Sequence, residues 1–120
     1  MNLIESIKNK DIKKVQEILK DKAINVNEVD KYEFSALHYA VREGLLDVVD
    51  PLIEQGAEVN LKNKSGATPL IQAVMHNRID IAAKLLGHQA DPNISDNYGY
   101  NSAHTAACNA NFKMLKLLLK

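Results

Sequence analysis

A recurrence at 33 residues constrains this 120-residue chain more than any other feature. Three segments, Ser35-Ala36-Leu37-His38-Tyr39-Ala40, Thr68-Pro69-Leu70-Ile71-Gln72-Ala73 and Asn101-Ser102-Ala103-His104-Thr105-Ala106, begin at 35, 68 and 101. Other columns keep the same step: Asp30, Asn63 and Asp96; Val48, Ile81 and Met114; Leu52, Leu85 and Leu118; Val59-Asn60 beside Pro92-Asn93. So many coincident columns define a repeat, and a repeat of this length is one supersecondary unit. It cannot bury its apolar face alone, so the units must stack and share a core.

Residues 30–62 show what each unit contains. Asp30 to Phe34 read as a turn, and Ser35 as an N-cap whose hydroxyl accepts a free backbone N–H one turn into a helix. That helix begins near Ala36, turns Leu37, Ala40 and Val41 to one face, and ends at Gly44, which can take the left-handed conformation. A second helix runs from about Leu46 to Gln55 with Val48, Val49, Leu52 and Ile53 as its buried stripe and Gly56 as its stop. Helices of two or three turns do not persist alone in water, which is the physical reason for the stacking.

With these residues in place the chain resembles the ankyrin-repeat family, Thr68-Pro69-Leu70 lying nearest to its T-P-L-H-x-A signature. The resemblance runs through the whole chain. It implies an all-α repeat solenoid of stacked helix-turn-helix units joined by β-hairpin-like loops. The units are an N-terminal capping repeat at 1–29, repeats at 30–62 and 63–95, and an incomplete repeat at 96–120. In the first, Ile4 aligns with Leu37, Ile7 with Ala40, Val15 with Val48, Leu19 with Leu52 and Asn27 with Asn60, and its outer positions are charged, as a cap requires. The last helix, Phe112 to Lys120, carries no polar cap. Either the chain belongs to a longer array, which is the expectation, or a partner or a second copy covers that apolar end.

Departures from the pattern have physical consequences. Glu33 stands where Gly66 and Gly99 occupy the turn, so the first turn either holds a non-glycine residue at positive φ or changes type. Asn77 and Ala110 replace Gly44, the alanine at the greater steric cost. Pro51 inside the second helix of its repeat predicts a bend or a late start.

Composition excludes several function classes. Fifteen basic and fifteen acidic residues cancel, leaving no field for nucleic acid. No apolar stretch approaches the roughly 18 residues of a membrane span, and residues 1–14 hold no continuous apolar core of a secretory signal. The expected address is cytoplasmic, and the single Cys108 fits a reducing compartment. No phosphate loop, dinucleotide fingerprint, H-E-x-x-H or G-x-S-x-G is present, so no catalytic residue, cofactor or metal is expected. His38 and His104 hold the signature column, where the family ties one repeat's turn to the next; His76 and His88 sit at helix ends. Cys108 has no cationic sequence neighbour and reads as an ordinary thiol.

The expected function is a non-catalytic scaffold that binds another protein. Its alternative is a targeting segment of a larger enzyme or effector. The resemblance places binding on the hairpin tips and the concave side of the first helices: Lys31, Tyr32, Phe34, Arg42 and Glu43; Lys64, Ser65, Ala67, Met75 and His76; Asn97, Tyr98, Tyr100, Cys108 and Asn109. Four of the six aromatics fall on the tips, where no core needs filling, and interface anchors favour such side chains. Two aromatic clusters thus flank a small, polar middle tip. Leu52, Glu58, Val59 and Asn60 also resemble the context recognised by asparaginyl hydroxylases, although that asparagine column has a structural use as well.

Overall fold

The structure, a computed structural model, describes residues 2–119; Lys120, read as the end of the last helix, lies outside them. Eight helices follow one another among the described residues: α1 (Leu3–Lys8), α2 (Ile12–Ile18), α3 (Ala36–Arg42), α4 (Leu46–Glu54), α5 (Pro69–Met75), α6 (Ile79–Gly87), α7 (Ser102–Cys108) and α8 (Phe112–Leu118). Each odd-numbered helix packs on the even one that follows it, and α1, α3, α5 and α7 form one layer by packing in succession. The stack measures 39 × 25 × 23 Å.

Caps fix where the first helices start. Asn2, Ser35, Thr68 and Asn101 each accept the backbone N–H three residues ahead on their side-chain oxygen, and Pro69 follows Thr68 where its missing N–H is harmless. The repeat columns are the core: Ile7, Leu37, Leu52, Leu70, Leu85 and Met114 are fully buried, with Val48, Ile81 and Leu118 beside them. Only an isolated bridge, Val29 with Ser35, stands for β structure among the described residues.

The first repeat departs from the expected alignment. Asn2 and Ser35 are in register, but α1 is one residue shorter than α3, so Lys10 takes the positive φ that Gly44 takes 34 residues later. Asp11 then caps α2 at the column of Leu45, and Val15 aligns with Val49 rather than Val48. An extra residue after α2 restores the register by Asn27, whose side chain accepts Glu58 N–H as that of Asn60 accepts Asp91 N–H, both at 2.8 Å. Leu3 and Ile7 fill the core, and Ile4 is half-buried.

Pro51 does not delay its helix. Helix α4 begins at Leu46, the column at which α6 begins, and continues through Pro51 to Glu54. The Asp47 carbonyl receives no N–H from the proline, and the side chain of the neighbouring Asp50 reaches instead to the next repeat. Its carboxylate accepts from Lys84 Nζ at 2.6 Å and from His88 Nε2 at 2.8 Å, and these two donors hold its pKa below the ordinary carboxylate value. Glu33 adopts the glycine turn outright, at φ 62°, while Asn77 and Ala110 sit at 54° and 53° where Gly44 has 74°.

Candidate functional site

The hairpin tips are built from one device used three times. Asp30, Asn63 and Asp96 each accept on one side-chain oxygen the backbone N–H groups two and four residues ahead, at 2.9–3.0 Å. A backbone bond closes each turn: Asp30 N–H to the Phe34 carbonyl, Asn63 N–H to that of Ala67, and Asp96 N–H to that of Tyr100. The tips are then joined to each other. Lys64 N–H donates to the Tyr32 carbonyl at 3.1 Å, Asn97 N–H to that of Ser65 at 3.0 Å, and Asn97 Nδ2 to that of Lys64 at 2.8 Å. Gly66 permits the close approach, because a Cβ there would lie 2.6 Å from Asn97 N.

This stitching sets the backbones that carry the aromatic side chains at fixed separations. Between them lies an open groove of about 380 Å³ lined by Tyr32, Phe34, Lys64, Ser65, Asn97 and Tyr98. Tyr98 is 82% exposed and Tyr32 54%, and the Lys31 ammonium lies 5.0 Å from the Tyr32 ring centroid. Tyr100 is also exposed and stands edge-on to His104.

Phe34 does not behave as a tip residue. Its ring is half-buried, 5.1 Å from Tyr39 and 5.6 Å from His38, and forms a wall of the groove from within the fold. The core therefore does extend into the first tip. Ala67 is likewise buried, and its carbonyl accepts from His38 Nε2 at 3.0 Å. Asn97 donates its side-chain amide to the Lys64 carbonyl and so helps hold the site together while it remains exposed on the groove. Behind the first tip, the Tyr39 hydroxyl donates to Asp30. Burial works to raise the Asp30 pKa, but bonds from Tyr39, Phe34 and Tyr32 and the nearby Lys8 outweigh it, while burial and Asp30 push Tyr39 up to about 12.

Below the tips, the remaining strip residues stand at the ends of the first helices. Arg42, Met75 and Cys108 occupy one column, all exposed, and Glu43, His76 and Asn109 the next as C-caps. Glu43 is engaged by Lys10 at 3.7 Å and Arg42 at 3.9 Å. Arg78 reaches back across Gly44 to donate to the Arg42 carbonyl at 3.0 Å, a contact no sequence pattern announced.

The two signature histidines differ in what they do. His38 accepts Ser35 N–H on Nδ1, which leaves the proton on Nε2 to donate to Ala67 in the next repeat. His104 accepts Asn101 N–H in the same way, but it is exposed and ties no following repeat. Among the described residues no three His, Cys, Asp or Glu side chains form a metal-binding group, and no helix is long and apolar enough to cross a membrane.

Comparison with known proteins matches a profile of ankyrin repeats in three copies to residues 3–63 and again to 47–120. The chain is 37% identical over 115 residues to the palmitoyltransferase AKR1 of Kluyveromyces lactis, covering 93% of this chain and 15% of that protein. It is 42% identical over 91 residues to a putative ankyrin repeat protein of fowlpox virus, covering 71% and 26%, and 35% identical over 95 residues to the mouse B-cell lymphoma 3 protein homolog, covering 78% and 21%. It thus spans between about a seventh and a quarter of the length of these relatives. Ankyrin repeats mediate protein–protein interaction and are not themselves catalytic. On the repeat register, the paired helices and these matches, the chain belongs to the ankyrin-repeat family.

Proposed function

We propose that this array is a non-catalytic module that binds a segment of another protein in the groove between its tips. The observation that carries the reading is the bonding of tip to tip, which fixes Tyr32, Lys64 and Tyr98 around the groove before a partner arrives. With the backbone already held, only the two side-chain torsions of each tyrosine remain to be ordered on binding, so such aromatic anchors convert contact into affinity efficiently. Tips and first-helix ends together offer a surface on the scale of a standard interface, about 800 Å² per partner.

Relatives about three to six times as long support a second reading, in which the array positions a larger enzyme or effector on its target. Both readings place the same surface against the same partner and differ only in what is carried along.

The test uses a photoreactive benzoylphenylalanine introduced at residue 65, beside the groove, or at residue 22, outside it. Crosslinking in cells of origin is expected to yield a partner from residue 65 and to lose it when Tyr32→Ala and Tyr98→Ala are added to a chain of unchanged circular dichroism. The same partner crosslinking from residue 22 and surviving the double substitution refutes the groove as the binding site.

A further inference from the structure

The chain carries only two arginines, and the fold places them together. They lie in different repeats, yet Arg78 donates to the Arg42 carbonyl, and its guanidinium sits so close over Gly44 that a Cβ there would fall 2.9 Å from Cζ. His76 stands beside them: burial lowers its pKa first, and the Arg42 and Arg78 charges lower it further, against the one carboxylate of Glu43. That carboxylate is already shared between Lys10 and Arg42. A neutral chain thus collects Lys10, Arg42 and Arg78 near Glu43 at the ends of α3 and α5, with Asp80 lining the recess that Arg78 shares with Gly44. Met75, 53% exposed, supplies an apolar surface in the Arg42 column.

We propose that the segment bound along this strip is acidic, setting carboxylates against Arg42, Arg78 and His76 and an aliphatic side chain on Met75. The proposal rests on the protein-binding reading and names the chemistry of the partner. Arginine is the residue suited to it, since its planar fork meets a carboxylate through two parallel hydrogen bonds. Arg42 has its guanidinium half exposed and held by Glu43 only at 3.9 Å, beyond hydrogen-bond range, so an incoming carboxylate can displace that contact. Arg78 is held by its bond to Arg42 and contributes a fixed charge. Flexible Met75 adapts to whichever aliphatic group arrives.

Selection of a random dodecapeptide phage library on the 120-residue chain tests this, with selected peptides synthesised and mapped by amide chemical shifts. The expected winners are rich in Asp and Glu around a Leu, Ile or Met. They should shift the amides of Arg42, Met75 and His76 and weaken at least tenfold between 50 and 300 mM NaCl. Arg42→Glu should cost tenfold or more in affinity and Arg42→Lys less, with thermal midpoints unchanged because Arg42 is exposed. Peptides that shift the strip without acidic enrichment, or that tolerate Arg42→Glu, overturn the acidic partner and leave the binding module standing. Peptides that shift neither these amides nor those of Tyr32, Ser65 and Tyr98 overturn both.

Discussion

Replacing His38 and, separately, His104 by alanine makes the same chemical change at one column of the repeat, once where the ring is buried and reaches the next repeat and once where it is exposed. At His38 the change removes one of two donors to the buried Ala67 carbonyl, which keeps Asn63 N–H, and removes the acceptor for Ser35 N–H, each loss worth about 0.5–1.5 kcal/mol. Loss of the ring contact with Phe34 adds about 0.5 kcal/mol. His38→Ala should therefore destabilise the chain by about 1.5–3.5 kcal/mol, and His104→Ala, which loses an exposed bond to Asn101 N–H and an edge contact with Tyr100, by about 1 kcal/mol. The excess at His38 reports the link between repeats together with the burial around it.

Urea denaturation followed by circular dichroism measures both, and equal losses would refute the claim that His38 acts through the next repeat. The same histidine sets a pH response. Burial lowers its pKa, outweighing the bonds to the Ala67 and Leu61 carbonyls that raise it. The unfolded chain thus binds a proton where the folded chain does not, so the stability His38 allows is complete above about pH 6.5 and declines as pH falls below it. His38→Gln, which keeps a donor but does not titrate, should reduce that decline, the remainder including the contribution of His76, whose pKa burial also lowers.

Three further substitutions probe the framework. Leu70→Ala, at a fully buried column, should lose about 2–5 kcal/mol in urea denaturation through the cavity it opens. Glu33→Gly should gain about 1 kcal/mol by relieving a positive φ, while Gly66→Ala should lose more than that and shift the Asn97 amide resonance, since its Cβ would collide with Asn97 N. Asn63→Asp should stabilise by about 1 kcal/mol at pH 7. Asn63 Nδ2 and Gln72 Oε1 are both buried without partners at the columns where Asp30 and Tyr39 bond, and a carboxylate would let Gln72 donate from its amide nitrogen. Donors around a carboxylate lower its pKa, so that gain should be present at neutral pH and vanish as pH falls through the folded-state value, as chemical denaturation at pH 7 and pH 3 can show.

Periodic features were the legible ones. The caps at Ser35, Thr68 and Asn101 and the buried columns of Leu52 and Val48 repeat at 33 residues because the fold demands the same kind of side chain each time. The slip in the first repeat stayed hidden because a residue lost from α1 and one gained after α2 cancel between Asn2 and Asn27, leaving both ends in register. Tip-to-tip bonding left no trace because its donors include the backbone N–H groups of Lys64 and Asn97, which every non-proline residue possesses. Phe34 misled because a turn position says nothing about a ring that folds back onto His38 and Tyr39. The Asp50 clamp was within reach: Lys84 and His88 stand 34 and 38 residues beyond it, close to one period and therefore on the adjoining repeat.

A repeat array separates fold from recognition more sharply than a single-core domain, and this chain shows where the boundary runs. At the column of Val48, Ile81 and Met114 the side chain is buried in each of these three repeats, and all three residues are apolar. At the column of Arg42, Met75 and Cys108 it is exposed in every repeat, and a guanidinium, a thioether and a thiol succeed one another on equivalent helix ends. Neither backbone conformation nor core packing distinguishes among those three, so the fold does not dictate them. A partner that reads the strip reads these differences, which is why Arg42→Glu should change binding at constant stability and Leu70→Ala should change stability first. A chain in which the two substitutions exchanged effects would mean that the strip is framework and that recognition lies elsewhere.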